Sequence, residues 1–134
     1  MCRARTIFAV LITGGNMKTV VLGASTHPGR YSFLAVNLLR RHKHEVIAVG
    51  RDTGTIGDVT IVPTFPEGED IDTVTMYLNP VHQKGYYNAI LAAKPRRIIF
   101  NPGAENEELI ALANANGIKT EEACTLVLLN TGQY

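Results

Sequence analysis

The sequence predicts an α/β fold, a doubly wound parallel sheet in three α/β/α layers, and three observations predict it. Apolar, β-branched runs alternate with helix-period stretches from Lys18 towards the C-terminus, which implies parallel β-α-β units joined by right-handed crossovers. The first run, Val20-Val21-Leu22, ends in the small-residue loop Gly23-Ala24-Ser25, ahead of a helical pattern. Further runs also end in small or polar turns, at Gly50-Arg51, Leu78-Asn79-Pro80 and Asn101-Pro102-Gly103. In a sheet of this class such ends converge on one crevice outside the carboxyl ends of the strands, where ligands bind.

A chain of 134 residues is one domain and long enough to bury a core. Its 46% hydrophobic and 19% charged content is that of an ordinary soluble protein. A net charge of +1 without a Lys/Arg run argues against a nucleic-acid partner, and no apolar stretch is long enough to span a membrane. Cys2 and Cys124 make neither a disulfide scaffold nor a metal cluster and read as reduced thiols of a cytoplasmic protein. The opening arginines and Ile7 to Ile12 imitate a signal peptide, but the apolar run is short and no A-x-A site follows. Gly14-Gly15-Asn16 breaks the pattern, so the domain is expected at 17–134, opening at Met17. Residues 1–16 are then an extension from an upstream start or an added edge strand at Thr6 to Ile12.

Taken in order, Tyr31, Leu34, Ala35 and Leu38 fall on one face of a helix that runs to about His42. The cluster Arg40 to His44 at its end suits the negative pole of the helix dipole. Strands follow at Glu45–Val49, Val59–Val62 and Ile71–Leu78. Pro80 starts a helix whose buried face is Tyr86, Ala89, Ile90 and Ala93, stopped by Pro95. Arg96–Phe100 is a strand. The next helix carries Leu109, Leu112 and Ala113, has Glu105, Glu107 and Glu108 in its first turn, and is capped by Gly117. Ile118–Thr120 is a last short strand, and Leu126 to Leu129 fits strand or helix equally.

The loop after the first strand is the chemical centre of the sequence. A helix that begins behind a strand leaves its first N–H groups unpaired, and with the helix dipole they form a site for a phosphate. Gly23, Ala24 and Ser25 have little side chain to hold a phosphate away, and a valine at position 23 is expected to block it without disturbing the fold. The loop is neither a Walker A sequence nor a strict G-x-G-x-x-G, since the next glycine is Gly29. The crevice is thus a Rossmann-like nucleotide site with Arg51, rather than an acid, after the second strand.

Gly23-Ala24-Ser25 followed by Pro28-x-Arg30-x-Ser32 resembles the first βα loop of the small stand-alone CoA-binding proteins. These share their fold with the nucleotide-binding domain of the succinyl-CoA synthetase α subunit. Asn101-Pro102-Gly103-Ala104-Glu105-Asn106-Glu107 is similar to the family's second signature, usually Gln-x-Gly before an Asn-Glu pair, and Cys124 falls where a Cys is common. The resemblance spans about Lys18 to Cys124. The chain departs from the pattern at Gly50-Arg51, where Asn-Pro or Ser-Pro is frequent, at Asn101, and at Ala123 before the Cys.

No catalytic constellation emerges. The histidines at 27, 42, 44 and 82 have no metal-ligand spacing, and no G-x-S-x-G elbow makes a nucleophile of Ser25 or Ser32. His27 reads as a ligand donor or a plain loop histidine, Cys124 as an inert thiol and Glu105 as a helix-dipole residue. The expected function is therefore a CoA or acyl-CoA binding module without catalysis of its own. Its ligand contacts would come from Gly23, Ala24, Ser25, His27, Pro28, Arg30, Ser32, Gly50, Arg51, Leu78, Asn79, Asn101, Pro102 and Gly103, with the first loop on the diphosphate and Arg51 on a ribose phosphate. The alternatives are a small NADP-dependent reductase, since Arg51 also suits a 2′-phosphate, and a regulatory or partner subunit that has lost its ligand. A homo-oligomer or an enzyme partner fits the last.

Overall fold

The computed structural model describes residues 18–134. The expectations placed on residues 1–16, Met17 and Cys2 lie outside the described residues. The elements follow one another as β1 (Lys18–Leu22), α1 (Tyr31–Arg41), β2 (Glu45–Val49), β3 (Thr55–Ile56), β4 (Val59–Val62) and β5 (Ile71–Met76). Then come α2 (Pro80–Gln83), a 3₁₀ turn (Lys84–Tyr86), α3 (Tyr87–Ala93), β6 (Arg97–Phe100), α4 (Glu107–Ala115), β7 (Lys119–Glu122) and α5 (Thr125–Asn130).

Among the described residues the strands form one sheet in the order β3-β4-β2-β1-β5-β6-β7. All neighbours are parallel except β3 and β4. Leaving β3 aside, this is the doubly wound order, with its switch point beside β1. The register pairs Leu22 with Val49, Leu22 with Met76 and Met76 with Phe100, so four strands end on one row. Alternation along the strands divides the core into two layers. Val20, Leu22, Val74, Met76, Ile98 and Phe100 pack against Ile90 of α3 and Leu109 and Ala113 of α4. Val21 and Ala48 pack on the other face against Val36 and Leu39 of α1 and Leu129 of α5. Each such fully buried aliphatic side chain contributes about 1.5–3 kcal/mol. The expected three-layer α/β/α, Rossmann-like fold is the observed one.

Several local expectations are corrected. The buried face of α1 is Ser32, Ala35, Val36 and Leu39, while Tyr31 and Leu34 are exposed. The spacing is the expected one moved by a residue, because the buried run begins at a serine that apolar counting passes over. The helix expected from Pro80 to Ala93 is broken, since the chain tightens into a 3₁₀ turn around Gly85, a poor helix former, but its expected face meets the core, with Ile90 buried and Tyr86, Ala89 and Ala93 half-buried against it. Leu112 lies at the exposed side of α4, and Glu105 precedes its N-cap, Asn106, instead of lying in its first turn. Leu126 to Leu129 is helical.

The alternation of strand and helix is also incomplete. β2 reaches β4 through β3, an antiparallel hairpin partner that turns at Gly57 with φ 61°. β4 reaches β5 through residues 63–70 without a helix, and Phe65 from this connection enters the core layer shared with α3 and α4. Gly117 does close α4: its φ is 77°, its N–H donates to the Asn114 carbonyl, and the Ile118 N–H donates to Ala113. That is the Schellman arrangement, which satisfies carbonyls left over at the helix end.

The amino-terminal side of the sheet is closed by the C-terminal residue. The Tyr134 hydroxyl lies 2.6 Å from the Thr19 hydroxyl, and its ring faces the Arg97 guanidinium at 4.6 Å. Arg97 is buried at 6% exposure and also donates to Thr73 Oγ1 at 3.0 Å and to Glu121 at 3.2 Å. A cation so far from water is tolerated because oxygens and an aromatic face surround it. Tyr134→Ala, which uncovers Arg97, is expected to cost about 2–4 kcal/mol, and Tyr134→Phe, which loses only the hydroxyl bond, about 1 kcal/mol. Urea denaturation of the three proteins checks the order; equal losses for both variants would show that the ring and its cation contact contribute nothing.

Candidate functional site

Because β1, β2 and β5 end on one row, the loops that follow them are forced against one another. The Val49 carbonyl accepts from both the Gly23 N–H (2.8 Å) and the Ala24 N–H (2.9 Å). These two donors are therefore committed to the sheet, and the donors left to a ligand begin at Ser25. A Cβ on Gly50 would lie 2.2 Å from the Ala24 carbonyl oxygen, so only glycine fits there. Gly23 has φ 102°, and a Cβ on it would lie 3.1 Å from the Leu78 nitrogen. A valine at position 23 therefore strains the turn itself, which corrects the expectation that the fold would ignore it.

These ends surround a cavity of about 410 Å3. The structure brings eight of the candidate residues to it: Gly23, Ala24, Ser25, Arg30, Gly50, Arg51, Leu78 and Asn79. Arg30 is the N-cap of α1 but gives it no side-chain acceptor, and the first turn of α1 holds no acid. The positive pole of an eleven-residue helix is thus left uncapped beside the cavity. By contrast α2 and α4 are capped by Asn79 and Asn106, whose side chains accept from His82 and Leu109.

Six candidates are not brought to the cavity wall. His27 and Pro28 are exposed on the loop, where His27 Nδ1 accepts from the Gly29 N–H at 3.2 Å. Ser32 is buried in the face of α1. Asn101 is buried at 2% exposure: its amide donates to Thr75 Oγ1 (2.7 Å) and the Met76 carbonyl (2.9 Å), and its oxygen accepts from the Thr125 N–H (2.8 Å). It is thereby a clamp between β5 and the start of α5. Pro102 and Gly103 are exposed and outside the cavity lining, and the Gly103 N–H donates to Glu105 at 2.9 Å.

Asp52, Tyr77 and Tyr86 also line the cavity, and none was a candidate from sequence. Asp52 Oδ2 accepts from Ser25 Oγ (3.0 Å), the Thr26 N–H (3.1 Å) and Thr26 Oγ1 (3.4 Å). The Thr26 N–H first, then the Ser25 hydroxyl, hold its carboxyl below the usual carboxylate range. An acid just after β2 was a legible signal, overshadowed by the arginine before it. Burial pushes the Tyr77 phenol up to about 12, and its hydroxyl has no hydrogen-bond partner among the described residues. His82 lines the cavity as well. Cys124 is a free, half-buried thiol at the N-cap of α5. Among the described residues no group of His, Cys, Asp or Glu is arranged to hold a metal, and no helix is long and apolar enough to cross a membrane.

A buried amide fixes the wall of the cavity. Gln83, with 0% exposure, donates to the Leu78 carbonyl (2.8 Å) and the Ala104 carbonyl (2.8 Å) and accepts from Asn106 (2.8 Å). It ties the loop after β5 to the loop after β6.

A family model described as a CoA binding domain matches residues 17–130. A crystal structure of an uncharacterized protein is 47% identical, with a TM-score of 0.85 over 88% of this chain and 98% of that one. A structure from Thermus thermophilus (18% identity, TM-score 0.78, covering 94% of this chain and 96% of that one) has the same fold. So does a hypothetical protein from Pyrococcus horikoshii (18% identity, TM-score 0.79, covering 91% and 87%). No curated protein matches.

Replacing Gln83 with Leu takes the donor from two carbonyls and one of two partners from the Asn106 amide, which keeps the Tyr87 hydroxyl, and is expected to cost about 2–4 kcal/mol of folding stability. Chemical denaturation measures this; a loss below about 1 kcal/mol would mean that water replaces the amide and that Gln83 does not hold the wall.

Proposed function

The chain belongs to the CoA-binding domain family, and from that premise we propose that it binds coenzyme A or an acyl-CoA in the cavity at the ends of β1, β2 and β5, without chemistry of its own. The observation that carries this reading is the uncapped start of α1 beside a cavity of about 410 Å3, with Arg30 and Arg51 on its wall. A diphosphate needs donors and positive charge but few side chains in its way, and the Ser25 loop, the helix dipole and Arg30 supply them. Leu78 and Tyr86 supply apolar wall for the uncharged parts of the ligand. In this reading Gly23, Gly50 and Ala24 shape the cavity and Asn101 braces it, so contact with ligand falls to Ser25, Arg30, Arg51, Leu78 and Asn79. The remaining candidates, His27, Pro28, Ser32, Pro102 and Gly103, receive no ligand role in it.

Arg51 stands where an adenosine ribose is met in folds of this class, and a planar fork of donors suits a phosphate there. CoA carries that phosphate on the ribose 3′-oxygen. NADP carries one on the 2′-oxygen, so Arg51 also supports a second reading, a small NADP-dependent reductase. The domain would serve in a reducing cytoplasmic setting, on its own, as a homo-oligomer or with an enzyme partner. Calorimetric titration separates the readings. The parent is expected to bind CoA roughly tenfold or more tightly than dephospho-CoA, and Arg51→Ala to remove most of that difference. Equal affinity for the two ligands would take the ribose phosphate away from Arg51. NADPH oxidation dependent on the protein would favour the reductase.

A further inference from the structure

The donors that a diphosphate would use already have an acceptor within the protein. Ser25 Oγ and the Thr26 N–H both donate to one oxygen, Asp52 Oδ2, at 3.0 and 3.1 Å, and Thr26 Oγ1 lies 3.4 Å from it. Three donors converging on a single anionic oxygen reproduce the way a loop of this kind holds a phosphate oxygen. The contact is built in rather than incidental. The segment after β2 is pressed onto the loop after β1 at Gly50 against Ala24, and a Cβ on Gly54 would lie 3.0 Å from the Thr26 methyl. Asp52 is exposed, so its side chain swings into water without leaving a buried charge behind.

We propose that Asp52 is a resident stand-in for the ligand's phosphate: its carboxylate holds the Ser25 and Thr26 donors in the free protein and is displaced when a diphosphate enters. The proposal rests on the reading of the cavity as a CoA site and adds a competitor to it. Two anions do not share the same three donors, so affinity is the difference between two sets of charge-assisted bonds, and the acid lowers it. The device keeps the loop ordered when empty, and makes the site selective for ligands whose charge outweighs one carboxylate. A monoanion gains little over Asp52; a diphosphate gains much more.

Asp52→Ala, with Asp58→Ala as a control that removes the same charge at the distant Arg40 pair, tests this at matched ionic strength. Inorganic pyrophosphate and CoA are titrated into each protein, followed by calorimetry and by the Thr26 amide resonance. In the ligand-free protein the Thr26 amide is expected to move upfield in Asp52→Ala and to stay in place in Asp58→Ala. Pyrophosphate and CoA are both expected to bind Asp52→Ala roughly tenfold more tightly than the parent. Pyrophosphate binding that is unchanged or weakened in Asp52→Ala overturns the proposal, the weakened case making Asp52 a ligand contact instead. Pyrophosphate that tightens while CoA binds none of the proteins leaves the competitor standing and removes the CoA reading.

Discussion

One carbonyl and one missing Cβ organise the functional end of this molecule. The Val49 carbonyl takes both the Gly23 and Ala24 N–H groups, and Gly50 lets the Ala24 carbonyl pass where any side chain would collide. Together they press the loop after β1 onto the end of β2. The row of paired residues Val49, Leu22, Met76 and Phe100 sets the level at which every loop leaves the sheet. The cavity exists because three loops leave at that level and two glycines permit their approach.

The two asparagines of the second signature, Asn101 and Asn106, brace this frame. Asn101 spends its whole amide on Thr75, Met76 and Thr125. Asn106 caps α4 and meets Gln83, which in turn holds Leu78 and Ala104. A buried network of this kind is costly when incomplete and rigid when satisfied, and this one is satisfied. It fixes the loops after β5 and β6 relative to each other, so the cavity wall is held by groups that never face the cavity. Charges are distributed on the same logic: Arg97, buried, is surrounded on all sides, whereas Arg51 lies exposed at the cavity.

Much of the architecture was legible in local pattern. The strands β1, β2 and β6 read as apolar runs because both faces of a parallel sheet are covered, and the Gly117 cap of α4 reads from one residue type with one backbone preference. Less was legible where local pattern competes with tertiary demand. The face of α1 was missed by a residue because Ser32 is buried, and no apolar count detects a buried serine. The connections around β4 contain no helix: β3 extends the sheet at its edge and Phe65 enters the core from the segment after β4, a solution that periodicity does not express.

By itself, then, the sequence determined the class of fold, the place of the cavity at the ends of the strands, and the small-residue loop beside it. These depend on period, composition and backbone preference, all carried by neighbouring residues. Only the tertiary structure decided which candidates reach the cavity. It turned Asn101 and Ser32 inward, committed the Gly23 and Ala24 donors to Val49, and set Asp52 on Ser25 and Thr26 from 27 and 26 residues away. The physical reason is that a donor's availability depends on what acceptor the fold places beside it, and that acceptor comes from a part of the chain distant in sequence.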